Sequence, residues 1–143
     1  MSPFASLLYA IRMKHRISQS ELADIIGYEQ TYISALEVGK KGPPTPEFID
    51  RLILALEMSP AESEQLRDAA DASQRKLVIS PDMPQDVYLM IRSLRKWLPD
   101  ISGDQIKLIT DILELTDKLK DRPKVVPLKL KRRNFENKGE AHM

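Results

Sequence analysis

The stretch that most constrains the fold is Ser18–Gly39, SQSELADIIGYEQTYISALEVG. It holds two short runs with helical periodicity, about Gln19–Ile26 and Gln30–Leu36, and Gly27 lies between them. Leu22 and Ile26 in the first run, and Ile33 and Leu36 in the second, fall at the spacing of one helix face. Ser18 stands where a helix N-cap belongs, and Gly27 supplies the positive φ of a tight turn. Two helices this short and this close must cross steeply to bury both stripes. Ala23 falls at the crossing, where a larger side chain would push the helices apart. With the apolar stripe facing inward, Gln30, Thr31 and Ser34 are left pointing outward. Amides and hydroxyls are the groups that pair with base edges.

The same helical periodicity runs through the rest of the chain, and no segment alternates as a strand does. Pro3–His15 places Phe4, Leu7, Leu8 and Ile11 at helical spacing. After the short pair, Gly39 and Gly42-Pro43-Pro44 make a loop. Thr45-Pro46 then reads as an N-cap followed by a first-turn proline, opening a helix to about Glu57. Ser59-Pro60-Ala61-Glu62 adds a full capping box and opens a helix to about Ala72. These five helices define a domain over residues 1–75, and the loop Ser80–Pro84 is the natural boundary. Gln85–Leu98 carries a stripe of Val87, Ile91, Leu94 and Leu98, and Pro99 ends it. Asp104–Lys120, capped by Ser102, carries Ile106, Ile109, Leu113 and Leu119. The expected fold is all-α: five helices, then a helical hairpin over residues 84–121. Residues 122–143 turn basic and lose periodicity, so a tail that is at least partly flexible is expected there.

Composition narrows the function. The chain of 143 residues has no Cys and only two His, at positions 15 and 142, so it offers neither disulfides nor a plausible metal cluster. No cofactor is expected. No apolar run approaches the ~20 residues of a membrane span, and the first residues do not read as a signal peptide, which fits a cytoplasmic protein. Net charge is +1, but it is unevenly spread. Residues 1–42 hold five basic and four acidic side chains, residues 43–72 two and seven, and residues 73–143 fifteen and ten. The acidic middle would be repelled by phosphate and should face away from it. The C-terminal half shows no convergent Ser/His, carboxylate or metal constellation, so no enzyme is expected.

Arg12, Ser18-Gln19, Glu21-Leu22-Ala23, Gly27, Ile33-Ser34, Leu36-Glu37 and Gly39 together resemble the lambda-repressor-like (Xre-type) helix-turn-helix family. The likeness covers about residues 3–72, all five expected helices. It implies a sequence-specific regulator that binds double-stranded DNA, a repressor acting as a homodimer on a near-palindromic operator. Carried over by position, it implies that Gln19 contacts a phosphate and braces Gln30. Gln30, Thr31 and Ala35 would meet base edges, with Ser34 nearby, and Lys40 and Lys41 would lie along the backbone. Arg12 and Glu37 match a buried ion pair. Two positions depart from the family habit. Glu29 stands where Ser or Asp is common; it is expected to cap the recognition helix or to discriminate against some bases. Ala35 replaces a long polar residue and offers a thymine methyl only van der Waals contact.

Other features admit two readings. Lys14, His15 and Arg16 are either phosphate contacts or a solvated face. Met13, Met58, Met83 and Met90 are expected to fill gaps in the core. Trp97 belongs to the core or to an interface. Lys129, Lys131, Arg132 and Arg133 with Phe135 make either a basic arm for DNA or a solubilising end. The alternative function is an antitoxin, or a controller of a neighbouring gene, whose C-terminal half binds a partner protein.

Overall fold

Of the first five helices, all but the third begin where a side chain takes up free N–H groups. In the computed structural model, residues 1–120 are described, and among them seven α-helices and one 3-10 turn account for the regular structure, with no strand. Helix α1, Pro3–His15, starts with the Ser2 hydroxyl accepting from the Ala5 N–H. Helix α2, Gln19–Ile26, has the capping box of Ser18 and Glu21. Helix α3 spans Gln30–Glu37. Thr45 caps α4, Pro46–Ala55, and a second capping box, Ser59 with Glu62, opens α5, Pro60–Ala72. Such caps satisfy backbone donors that no helix can satisfy internally. The basic stretch anticipated as a tail, with His142, lies outside the described residues.

The chain divides into two compact units, one of residues 1–80 and one beginning at Pro81. The first is built around Phe4, Leu8, Leu22, Ile33, Leu36, Phe48, Leu52 and Leu66, all essentially solvent-free. Phe48 is the hub. Its ring meets Phe4, Tyr28 and Tyr32 edge-on, at centroid distances of 6.3, 5.0 and 5.5 Å. The end of α5 is tied back to the start of α1: the Phe4 N–H donates to the Ser73 hydroxyl at 2.9 Å, which itself donates to the Ala69 carbonyl at 2.6 Å. That bond closes the bundle into a cycle, so α1 is held at both ends.

The second unit holds α6, Gln85–Trp97, the 3-10 turn Leu98–Asp100 and α7, Gly103–Lys120. Ser102 and Gln105 reciprocally cap α7, at 3.1 and 3.0 Å. This is the expected hairpin, but its apolar residues are not buried. Helix α6 contains no buried residue, and Ile106, Ile109, Leu113 and Leu119 of α7 are all exposed. An open groove of about 330 Å³, lined by Leu94, Trp97, Ile101, Leu108 and Ile109, runs between the helices.

Several expectations need correction. Met13, Met83 and Met90 fill no gap in the core; all are exposed, Met90 by 58%, and of the four only Met58 packs against the core. Helix α4 stops at Ala55 and not near Glu57, because Glu57 takes a left-handed φ of 48° that breaks the helical path. Helix α6 ends at Trp97, since Pro99 tightens the next residues into the 3-10 turn. No described helix is long and apolar enough to cross a membrane, and the described residues hold no cluster suited to a metal.

Candidate nucleic-acid interface

The turn between α2 and α3 sets the geometry of the candidate surface. Gly27 takes φ 76°, and both its N–H and that of Tyr28 donate to the Ala23 carbonyl, at 2.9 and 3.0 Å. The chain therefore reverses within a few residues, and α3 starts beside the helix it has just left. Leu22, Ala23 and Ile26 of α2 and Ile33 and Leu36 of α3 are buried together. This packing turns the opposite side of α3 outward. Gln30 and Thr31 are exposed there, and Ser34 and Ala35 are half-buried. Lys40 and Lys41 are exposed in the following loop. Lys41 is held near α3, its N–H donating to the Ala35 carbonyl at 3.1 Å and its ammonium lying 5.7 Å from the centre of the Tyr32 ring.

Glu29 occupies the N-cap position of α3, but its side chain makes no capping bond; its carboxylate instead accepts from the Thr31 hydroxyl at 3.5 Å. The expected cap is thus absent. Glutamate is one methylene longer than the aspartate that suits this position, and here the carboxylate reaches outward to Thr31.

A continuous hydrogen-bonded chain runs from the core to this surface. The Arg12 guanidinium donates to both oxygens of Glu37, Nε to Oε1 at 2.7 Å and Nη2 to Oε2 at 3.1 Å, and its Nη1 donates to the Ile17 carbonyl at 3.0 Å. Arg12 is 9% exposed and Glu37 5%. The hydrogen bond to Glu37 is the chief cause of the raised pKa of Arg12, and burial opposes it. The carboxylate takes a further bond from Gln19 Nε2 at 2.7 Å. Gln19 Oε1 in turn accepts from Gln30 Nε2 at 2.9 Å. Gln19 and Gln30 are the first residues of α2 and α3, so the amide bridge pins the two helix starts together.

Two contacts near this surface escaped the sequence. Gln19 joins Gln30 to the Arg12–Glu37 pair, two features read separately from the residue pattern. Arg51 of α4 donates to the Ile26 carbonyl at 3.2 Å, pairs with Glu47 at 2.9 Å, and lies 5.3 Å from the centre of the Tyr28 ring. The Glu47–Arg51 spacing of one helical turn was the available signal, but nothing local says that the guanidinium reaches the end of α2. Lys14 approaches Glu62 to 3.8 Å, and Lys14, His15 and Arg16 are all exposed, which suits a phosphate contact and a solvated face alike.

Residues 8–63 match the model of a helix-turn-helix family, HTH_3. No curated protein matches the chain. Among solved structures, one titled SinR protein/SinI protein complex aligns with 16% identity and a TM-score of 0.40, over 80% of this chain and 98% of that one.

Proposed function

Starting from the place of residues 8–63 in the helix-turn-helix family, we propose that the protein is a transcriptional regulator that reads double-stranded DNA as a homodimer on a near-palindromic operator and represses from it. The observation that carries this reading is the outer side of α3. Gln30, Thr31 and Ser34 present amide and hydroxyl groups there, and Gln30 is braced by Gln19. Groups of this kind read base edges in the major groove. Ala35 provides an apolar contact suited to a thymine methyl. Lys40 and Lys41 follow the helix, where phosphate contacts fix register and orientation. Gln19 serves the backbone as well as Gln30, and Glu29 biases the site against bases or phosphate geometries that crowd its charge.

One such surface offers few base contacts, so selectivity requires two. The second unit supplies the means. Ile109 of α7 and Trp97 of α6 line an apolar groove and are exposed, Trp97 by 59%, and Leu113 of α7 is exposed as well. A second copy of the same hairpin is the occupant that makes the DNA-reading surfaces two-fold symmetric, as palindromic half-sites demand. Selection of bound duplexes from a random pool, at two salt concentrations, tests the reading. Enrichment of a two-fold symmetric site with salt-sensitive affinity is expected. Recovery of unrelated sequences would refute it. A stable complex with a different polypeptide and no self-association would favour an antitoxin-like controller.

A further inference from the structure

Glu37 takes bonds from the Arg12 guanidinium on both oxygens, so it meets its other neighbours as an acceptor, and that fact propagates to the DNA-facing surface. An ionised carboxylate only accepts, so the neighbour at 2.7 Å must be the nitrogen of Gln19, as observed. Gln19 Oε1 is thereby turned outward, and only a donor can meet it: Gln30 Nε2, at 2.9 Å. One N–H of Gln30 is committed. Its Oε1 and its second N–H remain to meet a ligand, as an acceptor beside a donor. Adenine presents the complement in the major groove, a donor at N6 beside an acceptor at N7. Guanine presents two acceptors, N7 and O6, and one of them would face the Gln30 carbonyl. Were Gln19 reversed, Gln30 would bind it through Oε1 and turn both N–H groups outward, which suits guanine.

We propose that the buried Arg12–Glu37 pair is a positioning device that fixes the polarity of the Gln30 amide, through Gln19, and so makes this protein prefer adenine over guanine at the base Gln30 reads. The proposal rests on the DNA-binding reading above. Arg12 acts by holding the carboxylate in place through two bonds of its own. Glu37 acts by being an acceptor alone. Neither touches DNA; both work through Gln19.

The test measures base preference, which a merely structural role does not alter, because a less stable fold loses affinity for every sequence alike. Full-length protein selects its site from a random pool, and Q30A identifies the base pair whose preference depends on Gln30. Affinities are then compared for duplexes with adenine or guanine at that position. The wild type should favour adenine by on the order of tenfold or more. Q19L, which removes the relay but leaves the ion pair intact, should bring the ratio to within about twofold. E37Q, whose amide can present either end to Gln19, should do the same. Q19K is the sharpest variant: an ammonium donates both to Glu37 and to Gln30 Oε1, so the preference should move to guanine. Thermal unfolding of each variant confirms that it is folded, and Q19L and Q19K decide the matter if E37Q is not. Retention of the wild-type adenine preference by Q19K and Q19L overturns the proposal and leaves the DNA-binding reading standing. A wild type that enriches no sequence overturns both. A site at which Q30A changes no preference, or at which the wild type does not favour adenine, overturns the relay alone.

Discussion

Replacing Arg12 with Met removes one half of a buried ion pair and leaves the other in place. Glu37, 5% exposed, then loses two bonds from the guanidinium, at 2.7 and 3.1 Å, and keeps one from Gln19 at 2.7 Å. Hydrogen bonds to a charged group contribute ~1.5–3 kcal/mol each, and breaking a buried pair from one side costs ~3–5 kcal/mol. The surviving Gln19 bond places Arg12→Met near the lower end, about 3 kcal/mol. Glu37→Leu leaves the guanidinium with the Ile17 carbonyl and the face of Tyr9, 5.6 Å from the ring centre. That full charge has no counter-ion left, so the cost is about 4 kcal/mol. The double variant removes both charges and should fall short of the sum by roughly 2 kcal/mol. Urea denaturation of the four full-length proteins, followed by far-ultraviolet circular dichroism, measures all three quantities. Additivity within about 0.5 kcal/mol, or single losses below about 1 kcal/mol, would refute the reasoning.

Gly27→Ala should destabilise the first unit by about 1–2 kcal/mol, because φ 76° is left-handed backbone that a Cβ disfavours; chemical denaturation checks it, and an unchanged midpoint contradicts it. The Glu62 carboxyl is held below the ordinary carboxylate range, first by its hydrogen bonds with Ser59 and then by Lys14. A lowered pKa in the folded state makes this contribution present at neutral pH and lost as pH falls through it. Ser59→Ala should move the Glu62 titration back toward the ordinary range in an NMR pH series, while retention of the wild-type value would assign the shift elsewhere. Ending the chain near Ser80 should leave a folded, mainly monomeric domain with much weaker operator binding. Sedimentation showing a dimer in that form would place the interface in the first unit.

The punctuation of the fold was legible because caps are local chemistry. Ser18, Thr45 before Pro46, and Ser59 with Glu62 each place an acceptor where exposed N–H groups need one, and all three caps form. Gly27 was equally readable, since its turn leaves little choice of residue. The Arg12–Glu37 pair came from the resemblance and not from spacing, because 25 residues separate its halves. What could not be read is what depends on reach. Glu29 sits at the N-cap, yet whether a longer carboxylate bends back to the helix or out to Thr31 is a rotamer choice invisible to pattern. Arg51 reaches Ile26 only because α4 lies against the end of α2. Methionine is the weakest marker of burial, and Met13, Met83 and Met90 show why: its pliable side chain is tolerated in a core and on a surface alike. For the candidate DNA surface, sequence supplied the residues, and the structure supplied the direction of the hydrogen bonds among them.

Hydroxyl-radical footprinting of the full-length protein on its selected duplex tests the central claim most directly. Two copies of α3, held by a symmetric pairing of α6 and α7, should protect two half-sites on one face of the duplex, about one helical turn apart. The protection should weaken steeply as salt rises. A single protected half-site, or uniform protection indifferent to sequence, would contradict the account.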